Sequence, residues 1–218
     1  MVAPLSLLLR INCHQSTDLS NTACFTNIFR PGDLVLVDAA GQYSHYPSDI
    51  TRTWPVSGTF SPAQRNLYSA VLNVQRYAIT LVHPGITFHD ISGLVLQTFL
   101  RELRNLGPGF SVSKELLTSV LFPHSTGHHI GLDIHDVSTH MGRPLVPGNV
   151  ITIEPGIYVP PGDDRWPKEL WGVGIRIEDV VAVQELGEPG PLVLSTEAVK
   201  EVSQIHFHFH CNIRVGKR

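Results

Sequence analysis

The chain has 218 residues, 42% of them hydrophobic, and a formal net charge of −3 from 16 basic and 19 acidic residues. One domain with a sizeable core fits that length, and a charged fraction of 16%, below the roughly 25% of average domains, excludes a disordered or coiled-coil chain. There is no basic surplus for nucleic acid or an anionic membrane, no apolar run near the roughly 20 residues of a membrane span, and no disulfide or metal spacing among Cys13, Cys24 and Cys211.

Residues 1–30 lack clear periodicity and read as a divergent N-terminal segment. Arg10 is their one basic residue before Arg30, a weak signal for a mitochondrial presequence. From Pro31-Gly32 the pattern sharpens into a domain over 31–205. Residues 33–39 (DLVLVDA) read as a buried strand, and residues 48–56 as a second with Asp49, Thr51 and Thr53 on one face. Ser61-Pro62-Ala63-Gln64 is a capping box with proline at the first helical position, followed by Leu67, Val71, Val74, Ala78 and Leu81 at helical spacing. A second helix opens at Thr87 with Asp90 three residues on and carries Ile91, Leu94, Val95, Phe99, Leu103 and Leu106 to a stop at Gly107. These stripes are core. A third helix is expected over 113–121, then strands NVITIE and GIRIEDVVAV with a Pro-rich connection between them. The end, 206–218, is an atypical His-rich tail.

One internal echo stands out. Residues 31–38 (PGDLVLVD) and 147–154 (PGNVITIE) each run from a Pro-Gly turn through strand residues to a carboxylate seven positions after the proline. Two copies imply two equivalent halves, each ending its strand on an acid aimed at one place.

Four acids sit where structure alone explains them poorly: Asp38 and Glu154 after apolar stretches, Asp49 opening a strand, and Glu178 within GIRIED. Buried carboxylates cost several kcal/mol unless compensated. Arg176, on the face of Glu178, is available to pair with it. Twelve histidines are present, five of them (His124, His128, His129, His135, His140) within a short stretch. His124 and His128 have zinc-protease spacing, but Ser125 replaces the glutamate that motif needs, and Gly127 and Gly131 disfavour a helix. Those glycines instead suit a strand with a close backbone neighbour. His129 and His140 have no such case and read as surface or core residues. Asp38, Asp49, Glu154 and Glu178 bring four negative charges and His128 a neutral nitrogen, so two divalent ions balance the set where one leaves an excess of two. Oxygen-rich ligation with one imidazole suits Mn²⁺, with Zn²⁺, Co²⁺ and Fe²⁺ as alternatives. Two such ions point to metal-assisted hydrolysis, of an amide before other bonds.

The motifs Asp38, Ser48-Asp49-Ile50-Thr51-Arg52-Thr53-Trp54-Pro55, His124-x-x-Gly127-His128-x-x-Gly131-Leu132-Asp133-x-His135-Asp136, Thr152-Ile153-Glu154-Pro155-Gly156-Ile157-Tyr158 and Gly174-Ile175-Arg176-Ile177-Glu178-Asp179 resemble aminopeptidase P, the proline-peptidase branch of the pita-bread metallopeptidases. Residues 158–178 are most similar to its mitochondrial intermediate-cleaving members. The resemblance implies a pseudo-symmetric α/β pita-bread fold, an antiparallel sheet with flanking helices. It implies Asp38, Asp49, His128, Glu154 and Glu178 as ligands of two divalent ions, with Asp49 and Glu178 bridging. It also implies that His124 and His135 contact substrate and its tetrahedral intermediate, with Arg176 supporting the site. The implied activity is a hydrolase removing N-terminal residues from peptides, Xaa-Pro or single-residue trimming, in mitochondrion or cytoplasm. A prolidase shares the ligand set, and an inactive or binding-only fragment is the third reading. Members also carry an N-terminal domain and an upstream histidine, whose aligned place is near Asn21, where residues 19–27 depart from the pattern and His14 is too distant. The chain is therefore expected to be a catalytic half that binds metal but turns over weakly, with an uncovered face favouring homo-oligomers.

Overall fold

The computed structural model describes residues 6–13 and 29–206. His14, residues 19–27, Cys24 and the tail beyond His206 lie outside the described residues.

The echoed turns are built alike. Asp33 N donates to Arg30 O at 3.0 Å, and Asn149 N donates to Val146 O at 3.1 Å. In each, the same side chain takes a bond back: Asp33 Oδ2 accepts from Arg30 N at 2.7 Å and Asn149 Oδ1 from Val146 N at 3.0 Å. Gly32 (φ 100°) and Gly148 (φ 84°) supply the left-handed backbone that the turn demands and other residues resist. Each following strand then meets its partner in the same way, Val56 N on Asp33 O at 2.9 Å and Val183 N on Asn149 O at 2.9 Å. The repeated sequence is a repeated structure.

In the first half, β2 (Leu34–Tyr43) pairs antiparallel with β1 (Ser6–Cys13), β3 (Tyr46–Pro47) and β4 (Ile50–Pro55). In the second, β5 (Val150–Ile153) pairs antiparallel with β8 (Asp179–Ala182), which pairs with β9 (Leu192–Val193), while β6 (Gly156–Tyr158) pairs with β7 (Gly174–Arg176). Val37 faces Arg52 in one register and Ile153 faces Asp179 in the other, so Arg52 and Asp179 hold equivalent places in the two halves. The halves are joined by Glu178 N donating to Thr51 O at 3.0 Å, and by Thr53 Oγ1, which donates to Arg176 O at 3.0 Å and accepts from Arg176 N at 3.2 Å.

Both expected capping boxes form. Ser61 and Gln64 cap α1 (Pro62–Thr80), and Thr87 and Asp90 cap α2 (Phe88–Asn105). Leu67, Val71, Val74 and Ala78 on α1 and Ile91, Val95, Phe99 and Leu103 on α2 are buried together, and α1 also packs on β5 and β7. Burial at about 1.5–3 kcal/mol per large side chain holds the helices to the sheet. Truncating the fully buried Phe99 to alanine would cost about 3–5 kcal/mol.

The third helix has the expected extent but widens in its second half. Ser113 caps α3 (Lys114–Leu116), which runs on as a π-turn over Leu117–Leu121, with Phe122 N reaching Leu117 O at 2.7 Å. Three further expectations are corrected. Asp38 lies inside β2 rather than at its end, because pairing with β1 and β4 carries the strand on past it. GIRIEDVVAV is two strands, not one: Glu178 turns its amide to β4 instead of continuing a ladder, which breaks the run between β7 and β8. Within the segment read as unpatterned, Ser6–Cys13 forms the strand beside β2.

Candidate metal centre

The segment carrying His128 lies along β5. Glu154 N donates to Thr126 O at 2.8 Å, Thr152 N to His128 O at 2.8 Å and Ile130 N to Val150 O at 3.1 Å. Gly127 is the reason the chains can approach, since a Cβ there would sit 1.9 Å from Thr152 O. A Cβ on Gly131 would sit 2.2 Å from Asp136 Oδ2, so the loop carrying His135 folds back on itself. The close neighbour expected from these glycines is β5 for one and Asp136 for the other.

The tertiary structure brings all the sequence-derived acids and His128 to one place. Asp49, His128 and Glu178 offer donor atoms within 4.8 Å of one another. His128 Nε2 lies 3.5 Å from Asp49 Oδ2 and 3.7 Å from Glu154 Oε1. Asp38, which also acts on the Asp49 carboxyl, takes Arg176 Nη2 at 2.7 Å. His128 Nδ1 meets His129 O at 3.0 Å, which assigns the ring proton there and turns the Nε2 lone pair toward the carboxylates. Acceptors aimed at acceptors require a cation between them. The donor set, carboxylates with one imidazole and oriented from behind by hydrogen bonds, fits a divalent metal ion.

Without an ion, protons answer the same demand. Burial, then the charges of Glu154 and Asp49, push the Glu178 carboxyl well above the usual range. Burial raises Glu154 to about 7 against the opposing charge of Arg176. Burial would depress His128, but the hydrogen bond that its ring donates to Asp49 and the nearby acids outweigh it and raise the imidazole. Asp49 is lowered, because its bonds with His128 and Asp38 outweigh the effect of burial.

Arg176 is buried, and its ion-pair partner is Asp38 rather than the Glu178 that strand spacing made available. It pairs with Asp38, approaches Glu154 Oε2 only to 3.9 Å, and makes hydrogen bonds to Thr51 Oγ1 at 3.0 Å and Tyr158 Oη at 3.1 Å. Glu178, the partner expected for it, is instead hydrogen-bonded by Thr51, whose Oγ1 donates to Glu178 Oε2 at 2.6 Å. His124 Nδ1 meets Ser125 O at 2.8 Å and its Nε2 lies 2.9 Å from Tyr158 Oη, so the phenol donates to His124 while accepting from Arg176. Burial, then the charge of Arg176, holds His124 down at about 4. It is neutral at physiological pH. His135 is exposed, its ring 4.6 Å from that of His128 at a near-perpendicular angle. His129 is buried edge-on against Phe88 at 5.4 Å, a core residue. Thr51 and Tyr158 are the residues that sequence reading left without a role. Thr51 was visible as the neighbour of Asp49 on one strand face, and Tyr158 only as the end of the motif that carries Glu154.

Residues 11–185 match Metallopeptidase family M24. The chain belongs to that family. Intermediate cleaving peptidase 55 of Schizosaccharomyces pombe is 47% identical to this M24 chain over 182 residues, 82% of the chain and 36% of that protein. Xaa-Pro aminopeptidase 3 of Rattus norvegicus is 43% identical over 183 residues, 82% of the chain and 35% of that protein. The crystal structure of Icp55 from Saccharomyces cerevisiae superposes with a TM-score of 0.77 at 39% identity, over 92% of this chain and 50% of that one. An Escherichia coli aminopeptidase P variant in complex with substrate superposes with a TM-score of 0.83 at 31% identity, over 94% of this chain and 48% of that one. The fold is therefore pita-bread. The chain spans about a third of the length of the curated relatives, 36% and 35%, and about half of the solved ones. Among the described residues no helix is long and apolar enough to cross a membrane.

Proposed function

We propose that this M24 chain is the catalytic part of a metallo-aminopeptidase that removes the N-terminal residue of peptides, with Xaa-Pro termini as its substrate class. The observation that carries the reading is the convergence of Asp49, His128 and Glu178 donor atoms within 4.8 Å, with Glu154 on the same imidazole nitrogen. Asp38, Asp49, His128, Glu154 and Glu178 would hold two divalent ions, Mn²⁺ before Zn²⁺, Co²⁺ or Fe²⁺, with Asp49 and Glu178 shared. Bound there, divalent ions lower the pKa of a water and polarise a carbonyl, the two needs of amide hydrolysis. The catalytic domain is taken to extend to the buried Ile205 and, beyond the expected start at residue 31, to include β1, which pairs with β2.

The chain's own groups do the rest. Thr51 orients Glu178, and Arg176 orients Asp38 while holding the Tyr158 hydroxyl toward His124. His124 is neutral beside that hydroxyl and is suited to exchange a proton with the substrate amine or leaving group. His135 stands exposed at the edge of the ligand set, where an incoming peptide would meet it, and is suited to stabilise the oxyanion. The relatives named for intermediate cleavage, one of them with the name "mitochondrial" in Arabidopsis thaliana, favour single-residue trimming of processed proteins in mitochondria.

The test is release of the first residue from Xaa-Pro tripeptides and dipeptides by the purified chain, with Mn²⁺ and after chelation. Tripeptide cleavage that needs the metal supports the reading. Dipeptide cleavage alone would make the protein a prolidase, and failure to bind any divalent ion would overturn the metallopeptidase assignment.

A further inference from the structure

Behind the carboxylates lies a second set of charges that the reaction itself does not use. The Asp179 carboxylate is fully buried, 0% exposed, and the Arg52 side chain beside it is nearly so. Asp179 Oδ1 accepts from Arg52 Nη2 at 2.7 Å and from Ser195 Oγ at 2.6 Å. Its Oδ2 accepts from Gln75 Nε2 at 2.6 Å and from Lys200 Nζ. Two cations and two neutral donors converge on one anion. That is far more than neutralisation requires, and it leaves the carboxylate no second orientation.

The other arms of the Arg52 guanidinium face the metal centre and the C-terminal segment. Nη1 donates to Thr51 O at 2.9 Å and to Glu178 O at 2.5 Å, while Nε and Nη2 both reach Ala198 O, at 3.1 and 2.8 Å. Glu178 sits in the break between β7 and β8. Its amide goes to Thr51 O, its carboxylate takes the Thr51 hydroxyl, and its carbonyl goes to Arg52. Each of these bonds comes from β4, across the join between the halves, and Arg52 and Asp179 are the equivalent residues of those halves. Ser195, Ala198 and Lys200 follow the last residue, 185, of the family match. Tyr68 on α1 anchors them, its hydroxyl donating to Lys200 O at 2.7 Å.

We propose that Arg52 and Asp179 are positioning residues for the ligand Glu178, and that Ser195, Ala198 and Lys200 complete the clamp that holds them. The inference rests on the reading of Glu178 as a metal ligand. A planar fork can serve Asp179, Glu178 O, Thr51 O and Ala198 O at once; an ammonium of the same charge cannot. Loosening groups that orient a ligand typically costs 10–100-fold in metal affinity.

The experiment is a double-mutant cycle on Mn²⁺ affinity by calorimetry, with thermal unfolding of the metal-free chain as the fold control. Arg52→Lys keeps the charge, and Lys200→Met acts from the far oxygen of Asp179 should Arg52→Lys not fold. Arg52→Lys is expected to weaken Mn²⁺ binding about 10–100-fold and Lys200→Met about 3–10-fold. Neither is expected to change affinity more than about twofold in a Glu178→Ala background, because the group they position is gone. Equal losses in both backgrounds would reveal a general packing defect and overturn the inference. Parental affinity in both variants, with Glu178→Ala still losing metal, would overturn it while leaving the ligand reading intact. A Glu178→Ala chain that binds Mn²⁺ like the parent would overturn the ligand reading and the inference together.

Discussion

Replacing Gly127 with alanine puts a single methyl group where His128 is set against β5. The added Cβ would lie 1.9 Å from Thr152 O, 2.8 Å from Thr152 C and 3.3 Å from Phe88 Cε1. An ordinary carbon–oxygen contact is about 3.3 Å, so the two segments must part by about 1.4 Å, the difference between that and 1.9 Å. The obstacle is backbone, not a side chain that can swing away. The bonds flanking it, Thr152 N to His128 O and Glu154 N to Thr126 O, both at 2.8 Å, stretch or break. At about 1 kcal/mol for each bond and about 1–3 kcal/mol for overpacking, the loss is about 3–5 kcal/mol. For a chain of this size that lowers the melting temperature by about 6–20 °C. The same movement carries His128 away from Asp49 and Glu154, so Mn²⁺ affinity should fall at least about tenfold. Gly93→Ala is the control. Gly93 is inside α2 with nothing within 4 Å of a built Cβ, and alanine there should stabilise the chain by about 0.5–1 kcal/mol. Melting curves and calorimetric Mn²⁺ titrations of the parent and both variants decide the matter. A Gly127→Ala chain that melts within about 2 °C of the parent and binds Mn²⁺ equally well would refute the reasoning.

Other outcomes follow from the hydrogen bonds at the site. His124→Ala and His135→Ala should each lower peptide turnover by roughly 10²–10⁴ with metal content unchanged; loss of metal from His135→Ala equal to that from His128→Ala would show that His135 is a ligand. Tyr158→Phe removes the hydroxyl shared by Arg176 and His124, and should cut turnover by about 10–100-fold with little change in stability, read from initial rates beside melting curves. For pH, His124 is held at about 4 when folded by burial and the charge of Arg176. The unfolded chain protonates it near 6.5, so this group lowers stability as pH falls from about 6.5 toward 4 and has no effect above that window. Glu154, raised to about 7 by burial, works in the opposite sense over part of the same range. The difference between parent and His124→Phe melting curves isolates the histidine, and a difference that stays constant from pH 7 to pH 4 would show that His124 titrates normally.

Much of this molecule was written locally in its sequence. Ser61 with Gln64 and Thr87 with Asp90 cap their helices because each box closes within three residues, whatever the rest of the chain does. The Pro-Gly echo foretold two equivalent halves because a turn needing positive φ selects glycine in both. The acids and His128 were legible because a carboxylate in an apolar strand has few purely structural explanations. Tertiary structure alone decided which group holds which. Arg176 lies two residues from Glu178, close enough on the strand to suggest a pair, yet it bonds Asp38, 138 positions away, while Glu178 takes Thr51, 127 positions away. Spacing along a strand fixes which face a side chain shares, not what lies across the neighbouring strand. The Arg52–Asp179 clamp was invisible for the same reason: its members come from β4, α1, β8 and the segment after β9, and they become one site only when the two halves of the sheet close on each other.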